Sequence, residues 1–299
     1  MRLTFPKHYI QSPNDNVGRA VFVAQYARMA GIDVRMVENT ENVWMQRKTR
    51  GQGWIPSKGN HLSCLYEGKR LIFEVSDFPE LGKEDIKKYS GIPYFKYHYN
   101  EELHGHIDHV FPIGPSLILP SGISSFQHYF KLRKTYKYAC STNIISNKQE
   151  PRRLALERRT RVQRMLWKSF GRANVDVDWR GNQKEFWNAN KSCLVSVCVP
   201  GACNNMLDRG HYELLGLGVC TISPYIPTVL PWDKMFLPNQ HYIKCRDDYK
   251  DLIEKIEWCK THRDQCVEIG NNAKEMFDKY CTPEKYWEWI DVCIEKVYK

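Results

Sequence analysis

The sequence predicts an α/β protein made of two consecutive halves, each a sheet whose strands are separated by helices. Three observations carry this. Short apolar and β-branched segments alternate with helix-length amphipathic ones along the 299 residues. A stretch rich in Gly, Pro and Ser, from Gly114 to Ser125, interrupts the series, and a second alternating series follows it. Neither half repeats the other in sequence, so the expected organisation is two domains, residues 1–131 and 132–299, facing each other across a cleft.

Leu3-Thr4-Phe5 forms the first strand, and the turn formers Ser12-Pro13-Asn14-Asp15-Asn16 make the loop behind it. Asn16 is placed to cap a helix over 17–30, on which Val21, Ala24 and Ala27 recur at helical spacing. Gly31 ends that helix, and 32–37 alternates as a second strand, giving a right-handed βαβ unit. A strand over 70–75 runs into the loop Ser76-Asp77-Phe78-Pro79. A short helix over 83–89 and strands over 93–99 and 109–113 complete the first half.

The second half opens with a strand over 136–141 and a long helix over 151–169, with Pro151 suited to its first turn. Leu154, Val162, Met165, Leu166 and Ser169 share its expected inner face, which leaves the arginines to the outer face and the N-terminal turn. Further strands are expected over 174–179, 193–199, 219–223 and 241–245, with helices over 184–189 and 205–215 between them. From Asp247 to the end the pattern is helical, broken at Gly270 and at Thr282-Pro283.

Composition narrows the function. Lys and Arg number 44 against 34 Asp and Glu, a net charge of +10, which suits nucleic acid, an anionic membrane or a phosphorylated small substrate. A 42% hydrophobic content excludes wholesale disorder. No apolar run reaches the ~18–20 residues that span a bilayer. Pro6 and Lys7 break the start too early for a signal peptide, so a cytoplasmic protein without stable membrane insertion is expected. The 11 cysteines are odd in number and scattered, which predicts buried thiols in a reducing compartment. Cys193, Cys198 and Cys203 lack zinc-pair spacing.

Ligands of such sheets bind beyond the carboxyl ends of the strands. The segment from Gly201 to Ile222 (GACNNMLDRGHYELLGLGVCTI) runs strand end, loop, helix, glycine, strand. It resembles the donor-binding segment of GT-B glycosyltransferases, in which a loop and helix carry a Glu followed by small residues, a Gly and a β-branched strand. The resemblance extends to Pro224-Tyr225-Ile226-Pro227, to the tail from Asn271 to Tyr280 with Tyr286 and Trp289, and to Asn14-Asp15-Asn16-Val17-Gly18 at the start. As architecture it covers most of the chain; as motif, about forty residues. The compact length resembles the small chlorovirus-type glycosyltransferases of large DNA viruses.

The resemblance implies two Rossmann-like domains with C-terminal helices, an acceptor domain first and a nucleotide-sugar donor domain second. It implies that Glu213 accepts hydrogen bonds from the ribose hydroxyls. A diphosphate wants helix amides and cations, which neutralise it with no metal or other cofactor. Arg209, Lys148, Arg153, Asn204, Asn205 and Ser141 form the expected donor set. Many retaining members carry two glutamates with seven residues between them. The first would fall at position 205, which is Asn205, so inversion is expected. An inverting transfer needs a general base from the acceptor domain. Asp77 ranks first, His98 second and Asp15 third, the last equally well explained as a capping residue. The expected reaction moves one monosaccharide from a UDP-sugar, with xylose as the nearest guess, to a hydroxyl of a glycan or glycoprotein. Two alternatives stand beside it: a basic nucleic-acid-binding protein without catalysis, which lacks a recognition module here, and a nucleotide-sugar epimerase of the same fold.

Overall fold

The computed structural model describes residues 1–7, 18–45, 61–75, 80–113, 137–140, 152–176, 183–191, 193–201, 209–226, 230 and 236–299. The chain divides into two compact units, Met1–Ile118 with Thr282–Lys299, and Leu119–Cys281.

In the first unit β1 (Arg2–Pro6), α1 (Gly18–Met29) and β2 (Asp33–Val37) form the expected strand–helix–strand opening. The two strands pair in parallel from Arg2↔Asp33 to Pro6↔Val37, and Gly31 takes the left-handed φ of 74° that ends the helix. Asn16, the expected cap, lies outside the described residues. Next come β3 (Trp44–Met45), β4 (His61–Tyr66), β5 (Lys69–Glu74), α2 (Lys83–Lys88), β6 (Tyr94–Lys96), α3 (Glu101–His104) and β7 (Val110–Pro112). The sheet order is β2-β1-β4-β5-β6-β7, with β3 against β4.

This sheet is mixed. β4, for which no strand is expected, sits antiparallel between β1 and β5. The cause is local: Glu67 and Gly68 both adopt positive φ, 49° and 76°, so a two-residue turn folds β4 directly onto β5. That insertion sets a polar row across the sheet. His61 faces Glu74, and Glu74 faces Lys96, on successive strands. Glu74 and Lys96 form an ion pair whose side chains are 3% and 0% exposed. His61 Nε2 lies 2.7 Å from the Tyr94 hydroxyl and 4.0 Å from Asp85 of α2. Burial pushes the Tyr94 hydroxyl and the Asp85 carboxyl up.

The second unit runs β8 (Lys137–Cys140), α4 (Arg152–Phe170), β9 (Val175–Asp176), α5 (Gln183–Lys191), β10 (Cys193–Val197), α6 (Arg209–Leu217), β11 (Cys220–Ser223), β12 (Ile243–Lys244), α7 (Leu252–Thr261) and α8 (Arg263–Tyr280). Its five-stranded sheet is parallel throughout, in the order β12-β11-β10-β8-β9. The buried stripe of α4 differs from the expected one. Ala155, Val162, Leu166 and Phe170 are buried, whereas Leu154 is 47% exposed and Ser169 is exposed too. The buried positions keep spacings of seven, four and four, and Leu154 is turned about 100° away from them. Val162, Leu166 and Phe170 join strand residues Val195, Val197 and Ile222 and helix residues Ile256 and Ile269 in one core.

Helix α8 approaches the loop between α6 and β11 backbone to backbone. A Cβ on Gly270 would stand 2.2 Å from the carbonyl oxygen of Gly218, so only glycine fits.

The last helix, α9 (Pro283–Val297), belongs to the first unit, contrary to the expectation that the terminal helices all join the second domain. The reason is aromatic packing. Tyr286 lies 5.6 Å from the Phe22 ring and 5.1 Å from that of Tyr26, and Trp287 lies 5.0 Å from the ring of Tyr66. Trp289 Nε1 donates to the Pro112 carbonyl at 2.9 Å, and the Tyr298 hydroxyl to that of Arg70 at 2.8 Å. Thr282 caps the helix and Pro283 starts it. The expected boundary at Lys131 lies outside the described residues, and the first compact unit's N-terminal part ends at Ile118.

Two stability predictions follow from these contacts. Gly270→Ala forces the Gly218 backbone to move and should cost about 1–3 kcal/mol, read as a lower urea midpoint at unchanged m-value. Lys96→Met removes the ammonium from buried Glu74 and should cost about 3–5 kcal/mol, while adding Glu74→Leu should recover much of that loss in the same assay.

Candidate active site

The strand order of the second unit fixes where the chain changes direction. After β8 the chain moves to β9 on one side of the sheet, then crosses to β10, β11 and β12 on the other. The two directions part between β8 and β10, and in open α/β sheets ligands bind in the crevice beyond the carboxyl ends of the strands at such a point. Because the strands are parallel, α4, which leaves β8, and α6, which leaves β10, both begin at this rim.

Helix α6 carries the charged part of the site. All its residues from His211 to Leu217 are buried, which is unusual for a helix bearing a glutamate. Glu213 is 4% exposed. Arg209, one turn earlier and 45% exposed along its side chain, donates from Nε to Glu213 Oε1 at 2.8 Å. The helix is fixed from beneath. His211 Nε2 and the Ser223 hydroxyl of β11 are 2.7 Å apart, both fully buried, and the Tyr212 ring meets Phe277 of α8 edge-on at 6.2 Å. A carboxylate held this way is an acceptor-only group with a set direction, suited to a pair of hydroxyls.

Two arginines of α4 reach the same rim. Arg158 Nη2 donates to the Gly201 carbonyl at 3.3 Å, and Arg159 Nε to the Val199 carbonyl at 3.4 Å, in the segment that leaves β10. They bring guanidinium charge to the place where the chain turns from β10 towards α6. Sequence reasoning placed both on a solvent face. Their distance from the start of the helix that follows the first strand of this half was the available signal, since it puts them two turns from the rim.

The structure thus brings Glu213 and Arg209 into direct contact, sets Arg158 and Arg159 against the carbonyls of Gly201 and Val199, and places His211 beneath the helix on Ser223. Arg153 lies in the first turn of α4, and its side chain is outside the described set. Ser141, Lys148, Asn204 and Asn205 lie outside the described residues, as do Asp15 and Asp77. The described part of α6 begins at Arg209, so the stretch expected to be helical from Asn205 is outside as well. His98 is in the first unit. The strand expected over 93–99 ends at Lys96, and His98 falls in the turn beyond it, 8% exposed, its ring 4.9 Å from that of Tyr97 at 81°. Among the described residues, no three His, Cys, Asp or Glu side chains are arranged to hold a metal ion. No helix among them is long and apolar enough to cross a membrane.

Comparison with known proteins agrees with this architecture. A glycosyltransferase from Rickettsia africae superimposes with a TM-score of 0.57 over 98% of both chains, at 10% sequence identity. Sucrose-phosphate synthase from Thermosynechococcus elongatus does so with a TM-score of 0.50 over 99% of this chain and 98% of its own, at 8% identity. In sequence, uncharacterized protein 179R of Invertebrate iridescent virus 6 is 32% identical over 60 residues, which span 20% of this chain and only 5% of that protein. No family model matches. At such identities the structural likeness speaks for the fold, and the fold is that of the GT-B glycosyltransferases: α/β, with C-terminal helices.

Proposed function

We propose that the protein is an inverting, metal-independent glycosyltransferase that moves one monosaccharide from a nucleotide sugar to a hydroxyl of a glycan. The observation that carries this reading is the buried Glu213, held by Arg209 on a sealed helix at the carboxyl rim of the donor-type sheet. A nucleotide sugar offers a ribose diol, for which this carboxylate is the complement, and a diphosphate, for which Arg209, Arg158 and Arg159 are. The arginines stabilise the leaving diphosphate as its charge grows, the part that a metal ion would otherwise supply. A UDP-sugar is the proposed donor, with xylose the first sugar to test. Buried thiols such as those of Cys64, Cys220, Cys245, Cys259, Cys266 and Cys293 suit a reducing, cytoplasmic setting.

Asp77 is proposed as the general base, with His98 and then Asp15 behind it. Asp77 follows the end of β5, and His98 the end of β6, in a unit whose strands end there with the buried Glu74–Lys96 pair. In the attack, the base takes the acceptor hydroxyl proton as that oxygen bonds to the anomeric carbon and the bond to the diphosphate breaks. Inversion follows from a single displacement.

Two experiments test this. In calorimetry, Glu213→Ala should weaken UDP binding by about 1–3 kcal/mol, the value of a charge-assisted partner, and leave inorganic diphosphate within about twofold. Arg209→Ala should weaken both. Equal losses of UDP and diphosphate in Glu213→Ala would remove the ribose assignment. In turnover, Asp77→Asn should lose transfer by at least about 100-fold with donor affinity kept, because a base acts on the transition state. NMR of the new linkage should show inverted configuration; retention, or near-normal turnover of Asp77→Asn, would refute the mechanism.

A further inference from the structure

At the outer edge of the second unit's sheet lies a groove that the donor reading does not use. It runs along β12, two strands away from β10, and consists of two cavities of about 440 and 700 Å³ that share Asn239 and Lys255. These volumes match those of small-molecule sites. The smaller is bordered by α7, α8 and the turn before β12, and is open to solvent on one side.

Its lining is polar in an unusual way. Four amide-bearing residues, Asn239, Gln240, Gln265 and Asn272, line it together with Trp258. Each amide is both donor and acceptor. Ile243 and Ile269, both buried, give it an apolar floor. Trp258 is fixed by stacking on His262, with ring centroids 4.5 Å apart and planes at 9°. The turn is fixed as well: Asn239 sits at a positive φ of 62°, its N–H donates to the Tyr242 carbonyl at 2.6 Å, and Asn272 Nδ2 donates to the Gln240 carbonyl at 3.4 Å. The walls are therefore preorganised. In the larger cavity Tyr225 is 53% exposed, with the Lys244 ammonium 5.4 Å from its ring centre.

Charge excludes one class of occupant. Three cationic side chains line the whole groove against five acidic ones, in a protein whose net charge is +10. A phosphate-bearing polymer would be repelled here and drawn elsewhere. Amide donors and acceptors, carboxylates and an aromatic ring in each part of the groove, Trp258 and Tyr225, are the complement of a neutral polyol whose C–H faces pack on rings and whose hydroxyls need two partners each.

We propose that the groove along β12 binds a neutral oligosaccharide chain, with Trp258 and Tyr225 as stacking platforms and Asn239, Gln265 and Asn272 as partners for its hydroxyls. The site holds a glycan by contacts separate from the donor crevice, and its occupancy needs no nucleotide.

The test is calorimetric titration of the full chain, without nucleotide, with cellotetraose, maltotetraose, xylotetraose and chitotetraose in turn. At least one should bind with a Kd below about 1 mM. Trp258→Ala should weaken it at least about tenfold. Because Trp258 also packs on the core, the double variant Gln265→Ala/Glu268→Ala, at two exposed positions, provides a second arm with the same expected loss. UDP titrated into the same proteins should bind as it does to the unaltered chain, so failure of the groove and failure of the donor reading are told apart. Absence of binding by all four sugars, or binding unchanged in the double variant, would overturn the proposal. So would a groove filled more tightly by inorganic polyphosphate or by a peptide.

Discussion

Helix α6 is shielded from water along His211–Leu217, and within that span stands Glu213. Removing an isolated carboxylate from water costs far more than a marginally stable domain can absorb, so a buried glutamate needs a cation and a fixed hydrogen bond beside it. Arg209 supplies both from one turn away, and it remains 45% exposed, so its own desolvation is partial. The rest of the second unit serves this arrangement. Gly270 lets α8 close against Gly218, His211 ties the helix to Ser223, and Phe277 covers Tyr212. Loosening any of these would admit water to the carboxylate and release the direction that makes it selective.

The parallel sheet then decides where that carboxylate is useful. Strand order places the divergence of the chain between β8 and β10, and helices leaving both strands start at the same rim. Two sources of positive charge meet there: the first turn of α6 with Arg209, and the two arginines of α4 that bond the carbonyls of Val199 and Gly201. The groove along β12, by contrast, is acidic on balance, although the protein's net charge is +10.

How much of this was legible before the structure depended on whether the deciding interaction was local. The helix holding Glu213 could be read because apolar spacing, the glycine after it and the β-branched strand all lie within a dozen residues. So could the opening strand–helix–strand unit, ended by Gly31. Strand β4 was missed although Glu67-Gly68 between Tyr66 and Lys69 is a local hairpin signal; the alternating pattern of the rest favoured a parallel sheet. The face of α4 was misjudged by one residue, since Leu154 looks apolar in sequence while Ala155 is the position that faces the core. Helix α9 could not be placed at all from local pattern. Its partners, Phe22, Tyr26 and Tyr66, are more than two hundred residues away in the chain.

The role of Glu213 is tested most directly by where a nucleotide binds. A crystal structure of the protein with UDP should show the ribose hydroxyls within hydrogen-bond distance of Glu213 and the diphosphate at Arg209, beyond the carboxyl ends of β8 and β10. UDP bound at another place, or with its ribose turned away from Glu213, would contradict it.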